Sequence, residues 1–158
     1  MKRFLVGFLM VAGMLIGSVS AQAAPDFSGT WVLDLDKSDL GVKNMPADKQ
    51  AQMKKVTIVI KQTTSQLTIE LSTGDIAAYN LDGSPSSNAL PNGTKATTVT
   101  KWDGNTLVST TTYDIDGQNV ETHDVRSLDA SGKIMTLQIT RRMPSGEMKR
   151  SLTYNKQD

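Results

Sequence analysis

The 158-residue chain contains no cysteine. That excludes a disulfide framework, a thiol nucleophile, thiolate metal ligands and a lipid-modified cysteine behind a leader. Histidine occurs once, as His123, so no metal-spaced histidine pair exists. Gly-x-Ser-x-Gly and Ser-x-x-Lys are also missing, which removes the usual serine nucleophiles. Neither sign of charge is in excess: 17 basic residues face 16 acidic ones, for a net charge of +1. A nucleic-acid binder would show a basic footprint, and this chain does not. Aromatic residues make up 5%, too few for a site built mainly from stacked rings. These absences point to a non-catalytic protein with no cofactor and no metal.

Long apolar runs are scarce too. The one pronounced run, from Phe4 to Ile16, is shorter than the roughly 20 residues a spanning helix needs. It follows Met1-Lys2-Arg3 and precedes Ala21-Gln22-Ala23, an order that predicts a secretory signal peptide over 1–23, cleaved after Ala23. The product would be periplasmic or secreted, without stable membrane insertion. What remains, about 135 residues over 24–158, is the size of one domain.

What the mature part has in abundance is period-two alternation, rich in Thr and Val and broken by Gly-containing turns. It predicts strands at roughly Gly29–Asp36, Lys55–Thr63, Gln66–Thr73, Ile76–Leu81, Lys95–Trp102, Thr106–Ile115, Asn119–Leu128, Ile134–Arg142 and Glu147–Asn155. A short helix is expected over Pro46–Lys54, with Pro in its first turn. The segment Asp82–Gly93, "DGSPSSNALPNG", reads as a long exposed loop.

The turns are more informative than the strands. A two-residue hairpin pairs its flanking residues, so an inward face can be propagated from strand to strand. With turns at Asp103-Gly104, Asp116-Gly117, Ser131-Gly132 and Ser145-Gly146, Trp102 shares a face with Leu107, Tyr113, Val120, Arg126, Met135, Leu137, Leu152 and Tyr154. A turn at Thr64-Ser65 likewise aligns Ile58 and Ile60 with Leu67 and Ile69. Parity becomes ambiguous at "STGD", where Ile76 disagrees with Tyr79 and Leu81. An apolar face this long, without a substantial helix to cover it, has to close on itself. An all-β, antiparallel up-and-down barrel of about eight to ten strands is expected, with a two-sheet sandwich as the alternative.

The same inward face carries Asp124, Arg126, Arg141 and Arg150 beside Tyr113 and Tyr154. Charges are rarely buried unless paired or met by a ligand. Guanidinium groups with phenols suit a carboxylate or phosphate headgroup. Thr98, Thr100, Ser109, Thr111 and Thr122 also face inward, which hints at a wet lumen. The competing explanation is that each Arg is structural or sits exposed at a strand end. Asp34, Asp36 and Ser38 mimic the start of a calcium loop, but Asp39 and Met45 stand where such a loop needs Gly and Glu. His123 falls on the outer face.

Phe27, Gly29, Trp31, Leu33 and Lys37-Ser38, followed by Leu81-Asp82-Gly83, Trp102-Asp103-Gly104 and Gly132-Lys133, resemble the motifs of calycins, and more closely those of exported bacterial lipocalin-like proteins. The resemblance implies that Gly29 and Trp31 close one barrel end and that a basic last-strand residue packs on Trp31, with Arg150 the match by position. Fatty-acid-binding proteins hold a ligand carboxylate with a last-strand Arg-x-Tyr; here Arg150 and Tyr154 are the counterpart, with three residues between them. The expectation is a small amphipathic or anionic ligand in the lumen, its headgroup met by Arg126, Arg141 and Arg150 with Tyr113 and Tyr154. The rival is a protein-interaction or inhibitor module that uses loop 82–93 on a solid barrel.

Overall fold

The computed structural model describes residues 24–42, 45–54 and 56–158. The expected signal peptide lies outside the described residues. Ten antiparallel strands form one sheet, in the spatial order β4-β3-β2-β1-β10-β9-β8-β7-β6-β5. They are β1 (Gly29–Asp39), β2 (Thr57–Gln62), β3 (Gln66–Leu71), β4 (Ile76–Asn80), β5 (Asp82–Ala89), β6 (Lys95–Asp103), β7 (Thr106–Ile115), β8 (Gln118–Leu128), β9 (Ile134–Met143) and β10 (Gly146–Lys156). The sheet curls until its first and last members, β4 and β5, meet, so the molecule is a nearly closed barrel. One short helix, α1 (Ala47–Met53), connects β1 to β2. No helix among the described residues is long and apolar enough to cross a membrane.

The face carried through the hairpins is the inner face. Trp102 pairs with Leu107, Leu107 with Arg126, Arg126 with Leu137, and Leu137 with Leu152. Two turns sit one residue away from the expected place. Asp103 pairs with Thr106, because Gly104 (φ +56) takes the first central position, as in a type II′ turn. Met143 pairs with Gly146, because Pro144 presets the φ of a first central residue. Sliding a turn by one residue changes the pair sum by two, so both faces survive. At "STGD" the turn is longer, with the Leu71 N–H donating to the Asp75 carbonyl at 2.9 Å. Ile76 is therefore left outside at 60% exposure, while Tyr79 pairs with Leu67 on the inside.

The segment expected to be a loop is mostly strand. β5 runs along β6 from Asp82 to Ala89, leaving only 90–94 as a turn. Its inward positions are Ser86 and Asn88 rather than apolar residues, so it lacks the hydropathic signature of a strand. Those two side chains explain why. At the β4–β5 seam, Asn88 Nδ2 donates to the Ala78 carbonyl and Asn88 Oδ1 accepts from the Ala78 N–H, both at 2.9 Å. Ser86 Oγ accepts from the Asn80 N–H at 2.8 Å. Side chains thus replace a missing backbone ladder, as buried main-chain groups require.

One barrel end is plugged. Phe27 and Trp31 are fully buried, Phe27 stacks on Trp102 with ring centroids 6.0 Å apart, and Trp31 Nε1 donates to the Phe27 carbonyl at 2.9 Å. Gln62 ties the entering segment down, accepting from the Phe27 N–H at 3.0 Å and donating to the Pro25 carbonyl at 2.9 Å. Burying a large apolar side chain is worth roughly 1.5–3 kcal/mol, so this end is a well-anchored part of the core. Lys37-Ser38 marks a bulge in β1, where Ser38 Oγ accepts from the Thr153 N–H of β10 at 2.9 Å.

Candidate functional site

The opposite end, where α1 and the turns after β3, β5, β7 and β9 gather, is not plugged. A cavity of ≈ 510 Å³ opens there, running down the lumen to Tyr79, Asp124 and Arg141. Ile76 and Ile115, 60% and 40% exposed, stand at its mouth with Leu90. A volume of this size is in the range of small-molecule sites and is not the interior of a solid barrel.

Strand register builds two unlike walls around the lumen. On β2 and β3, Ile58, Ile60, Leu67 and Ile69 are buried and aliphatic. Facing them, β5 to β9 place Ser86, Thr98, Thr111, Thr122 and Arg141 in one cross-strand row. The next row holds Thr100, Ser109, Asp124, Ile139 and Arg150. Most of these hydroxyls satisfy one another: Thr98 with Thr111 at 2.9 Å, and Thr100 with Ser109 at 2.8 Å.

The ionised groups do not pair in that way. Every ion pair among the described residues is on the outside or at the chain end, such as Arg142 with Glu121 at 2.9 Å. Asp124 lies within ion-pair distance of no arginine. Asp124 Oδ1, Thr122 Oγ1 and the Nε atoms of Arg126, Arg141 and Arg150 are buried without a hydrogen-bond partner in the described protein. Of these, Arg126 is buried, whereas Asp124, Arg141 and Arg150 are partly exposed. Burial pushes the Asp124 carboxyl above its ordinary value of 3.8, against the pull of Arg126, His123 and Arg141. Burial also raises the phenols of Tyr79 and Tyr154, with Arg126 pulling the other way and Asp124 reinforcing the rise. Both phenols accordingly keep their protons and remain donors.

The sequence-derived residues separate into three places. Arg126, 7% exposed, lies deep, within electrostatic reach of Tyr79, Tyr154 and Asp124. Tyr154 is buried in the main core beside β1, as the partner of Leu33. Arg141 and Tyr113 line the upper cavity, Tyr113 packing with Ala96 and Val120. Arg150 is half-buried but apart from the cavity, its Nη2 3.6 Å from Met148 Sδ and its stem close to Gly41.

Arg150 is also not the partner of Trp31. β1–β10 register sets Trp31 against Lys156, whose Nζ stands 5.4 Å from the indole centroid. Gly29, in the left-handed region at φ +136, makes this fit: a Cβ there would come 2.5 Å from Lys156 Cε. Asp34, set aside as a cation ligand, instead bonds Asn155 at 3.0 Å and Lys37 at 3.2 Å. Sequence reasoning missed Tyr79, Ser86, Asn88 and Lys156. Only Tyr79 left a signal, in its shared parity with Leu81.

No protein-family model matches the sequence, and no curated protein matches it. Solved structures do resemble it. Zebrafish ileal bile acid-binding protein, complexed with cholic acid, is 15% identical and superposes with a TM-score of 0.59 over 83% of this chain and 98% of that one. A REP1-NXSQ fatty acid transporter is 18% identical, with a TM-score of 0.60 over 84% and 96%. A secretory abundant heat soluble protein from Ramazzottius varieornatus is 15% identical, with a TM-score of 0.58 over 85% and 98%. The chain therefore shares the ten-stranded barrel fold of these structures.

Proposed function

We propose that this protein binds a small anionic amphiphile in its lumen and performs no catalysis on it. The observation that carries the proposal is that Arg141 lines a cavity also lined by Leu71, Ala77, Leu90 and Ile139. Arg126 is buried within electrostatic reach of the lining residues Tyr79 and Asp124, and the Nε atoms of both arginines are without a hydrogen-bond partner. Burying a guanidinium without a partner costs several kcal/mol, a cost that an anionic headgroup offsets. The apolar lining residues Leu71, Ala77, Leu90 and Ile139 then receive an alkyl or ring body. Arg141, Tyr79 and Tyr113 line the site, and Arg126 is buried within electrostatic reach of Tyr79 and Tyr154. Bile-acid and fatty-acid barrels share this architecture, which supports a lipid-like ligand class.

We propose further that the protein works outside the cytoplasm, as part of an exported bacterial lipocalin-like group, on the strength of its leader sequence. An intact-mass measurement on the exported fraction should find a chain beginning at Ala24; a chain retaining Met1 would overturn that assignment.

Ligand binding is tested by displacement of an anionic fluorophore, 8-anilinonaphthalene-1-sulfonate, from the purified protein. Tetradecanoate should displace it, tetradecanol should do so at least about tenfold less well, and Arg126→Leu should erase the difference. Equal displacement by acid and alcohol would contradict an anion site. The loop on which the protein-interaction alternative relies shrinks to 90–94, because Asp82–Ala89 is strand.

A further inference from the structure

We infer that the ligand carries a hydroxyl within a few bonds of its acid group, and that Asp124 and Thr122 read that hydroxyl. This rests on the anion site proposed above and names its ligand more closely.

The inference starts from what β8 presents to the lumen. Thr122, Asp124 and Arg126 are consecutive inward residues, and Arg141 is the direct cross-strand partner of Thr122. Alternate residues on a strand lie about 6.6 Å apart, so an acceptor sits between two cationic groups along one line. A plain carboxylate held by either guanidinium satisfies donors only. It leaves Asp124 Oδ1, which is buried and unpartnered, with an anion for a neighbour. A carboxylate of that kind would be selected against at this spot.

No protein donor reaches Asp124 Oδ1 in the structure. Ser109 is the cross-strand partner of Asp124, yet its hydroxyl is engaged with Thr100 at 2.8 Å. Thr98 and Thr111 are similarly engaged with each other. A cationic donor on the ligand is disfavoured by Arg126 and Arg141, both within electrostatic reach of Asp124. A hydroxyl remains. It donates to Asp124 Oδ1 and accepts from Thr122 Oγ1, while the acid group takes the guanidinium.

Isothermal titration of the purified 24–158 chain with tetradecanoic acid and with 3-hydroxytetradecanoic acid decides the matter. The hydroxy acid should bind at least about tenfold more tightly, the size of one hydrogen bond to a charged group. Asp124→Leu should remove that preference by weakening the hydroxy acid alone, and Asp124→Asn should retain part of it. Affinities within about threefold of each other in the natural protein, or an equal loss of both in Asp124→Leu, would overturn the inference and leave the anion site standing. If neither acid binds, the anion site itself fails and this inference with it. Should Asp124→Leu not fold, the affinity ratio in the natural protein still separates the two outcomes.

Discussion

The ammonium of Lys156 stands over the Trp31 indole, and a Cβ at position 29 would come 2.5 Å from Lys156 Cε. This places the Gly-x-Trp of β1 in a mechanical role: the glycine admits a last-strand cation, and the cation covers the ring that plugs the barrel. Gly29→Val should destabilise the protein by about 2 kcal/mol, combining a strained φ with a steric clash. Urea unfolding would show it. Adding Lys156→Ala should restore the steric part, whereas Lys156→Ala alone should cost only about 0.5–1 kcal/mol.

The seam between β4 and β5 rests on side chains. Asn88→Ala removes two hydrogen bonds to Ala78 and should cost about 1–2 kcal/mol. Native-state hydrogen exchange is the appropriate probe, because the loss is local. The Ala78 and Asn80 amides should exchange faster in the variant, with those of β9 and β10 unchanged. Uniform acceleration across the sheet would show that the seam is not a separate weak point.

Removing a buried charge from a binding site should separate stability from function. Arg126→Leu fills the same position with an apolar side chain and removes a buried guanidinium whose Nε has no hydrogen-bond partner. The melting temperature should rise by a few degrees while affinity for tetradecanoate falls at least about tenfold. A variant both less stable and equally able to bind would make Arg126 structural.

Asp124 gives the protein a specific pH dependence. Its pKa is raised in the folded state, so between the ordinary carboxyl value and the raised one the folded protein holds more protons than the unfolded chain. Stability must then fall as pH rises through that interval. Asp124→Asn removes the contribution. The stability difference between variant and natural protein should be smallest near pH 4 and grow in favour of the variant towards pH 8. Urea melts at a series of pH values measure it, and a constant difference would count against a desolvated carboxyl.

How much of this could be read from the sequence depends on whether two strands share a turn. Consecutive hairpins place Trp102, Arg126, Arg141 and Leu152 on one face, and misplacing a turn by one residue leaves every face intact. β1 and β10 share no turn, so nothing local specifies that Trp31 meets Lys156 rather than Arg150. β5 is hidden for a different reason. Its inward residues, Ser86 and Asn88, serve bonding across the seam and not apolar burial. Tyr79 is obscured by the longer turn before β4, which sends Ile76 outward. The candidate site is legible on β7 to β10 and obscure on β4 and β5.

The anion site can be observed at its own atoms. The Arg126 and Arg141 Nε–H groups have no partner in the described protein, and each gives a distinct cross-peak in a ¹⁵N–¹H correlation spectrum. Titration with tetradecanoate should move both peaks saturably, by far more than those of the paired, exposed Arg142. Movement of backbone amides with both arginine peaks unchanged would contradict the account.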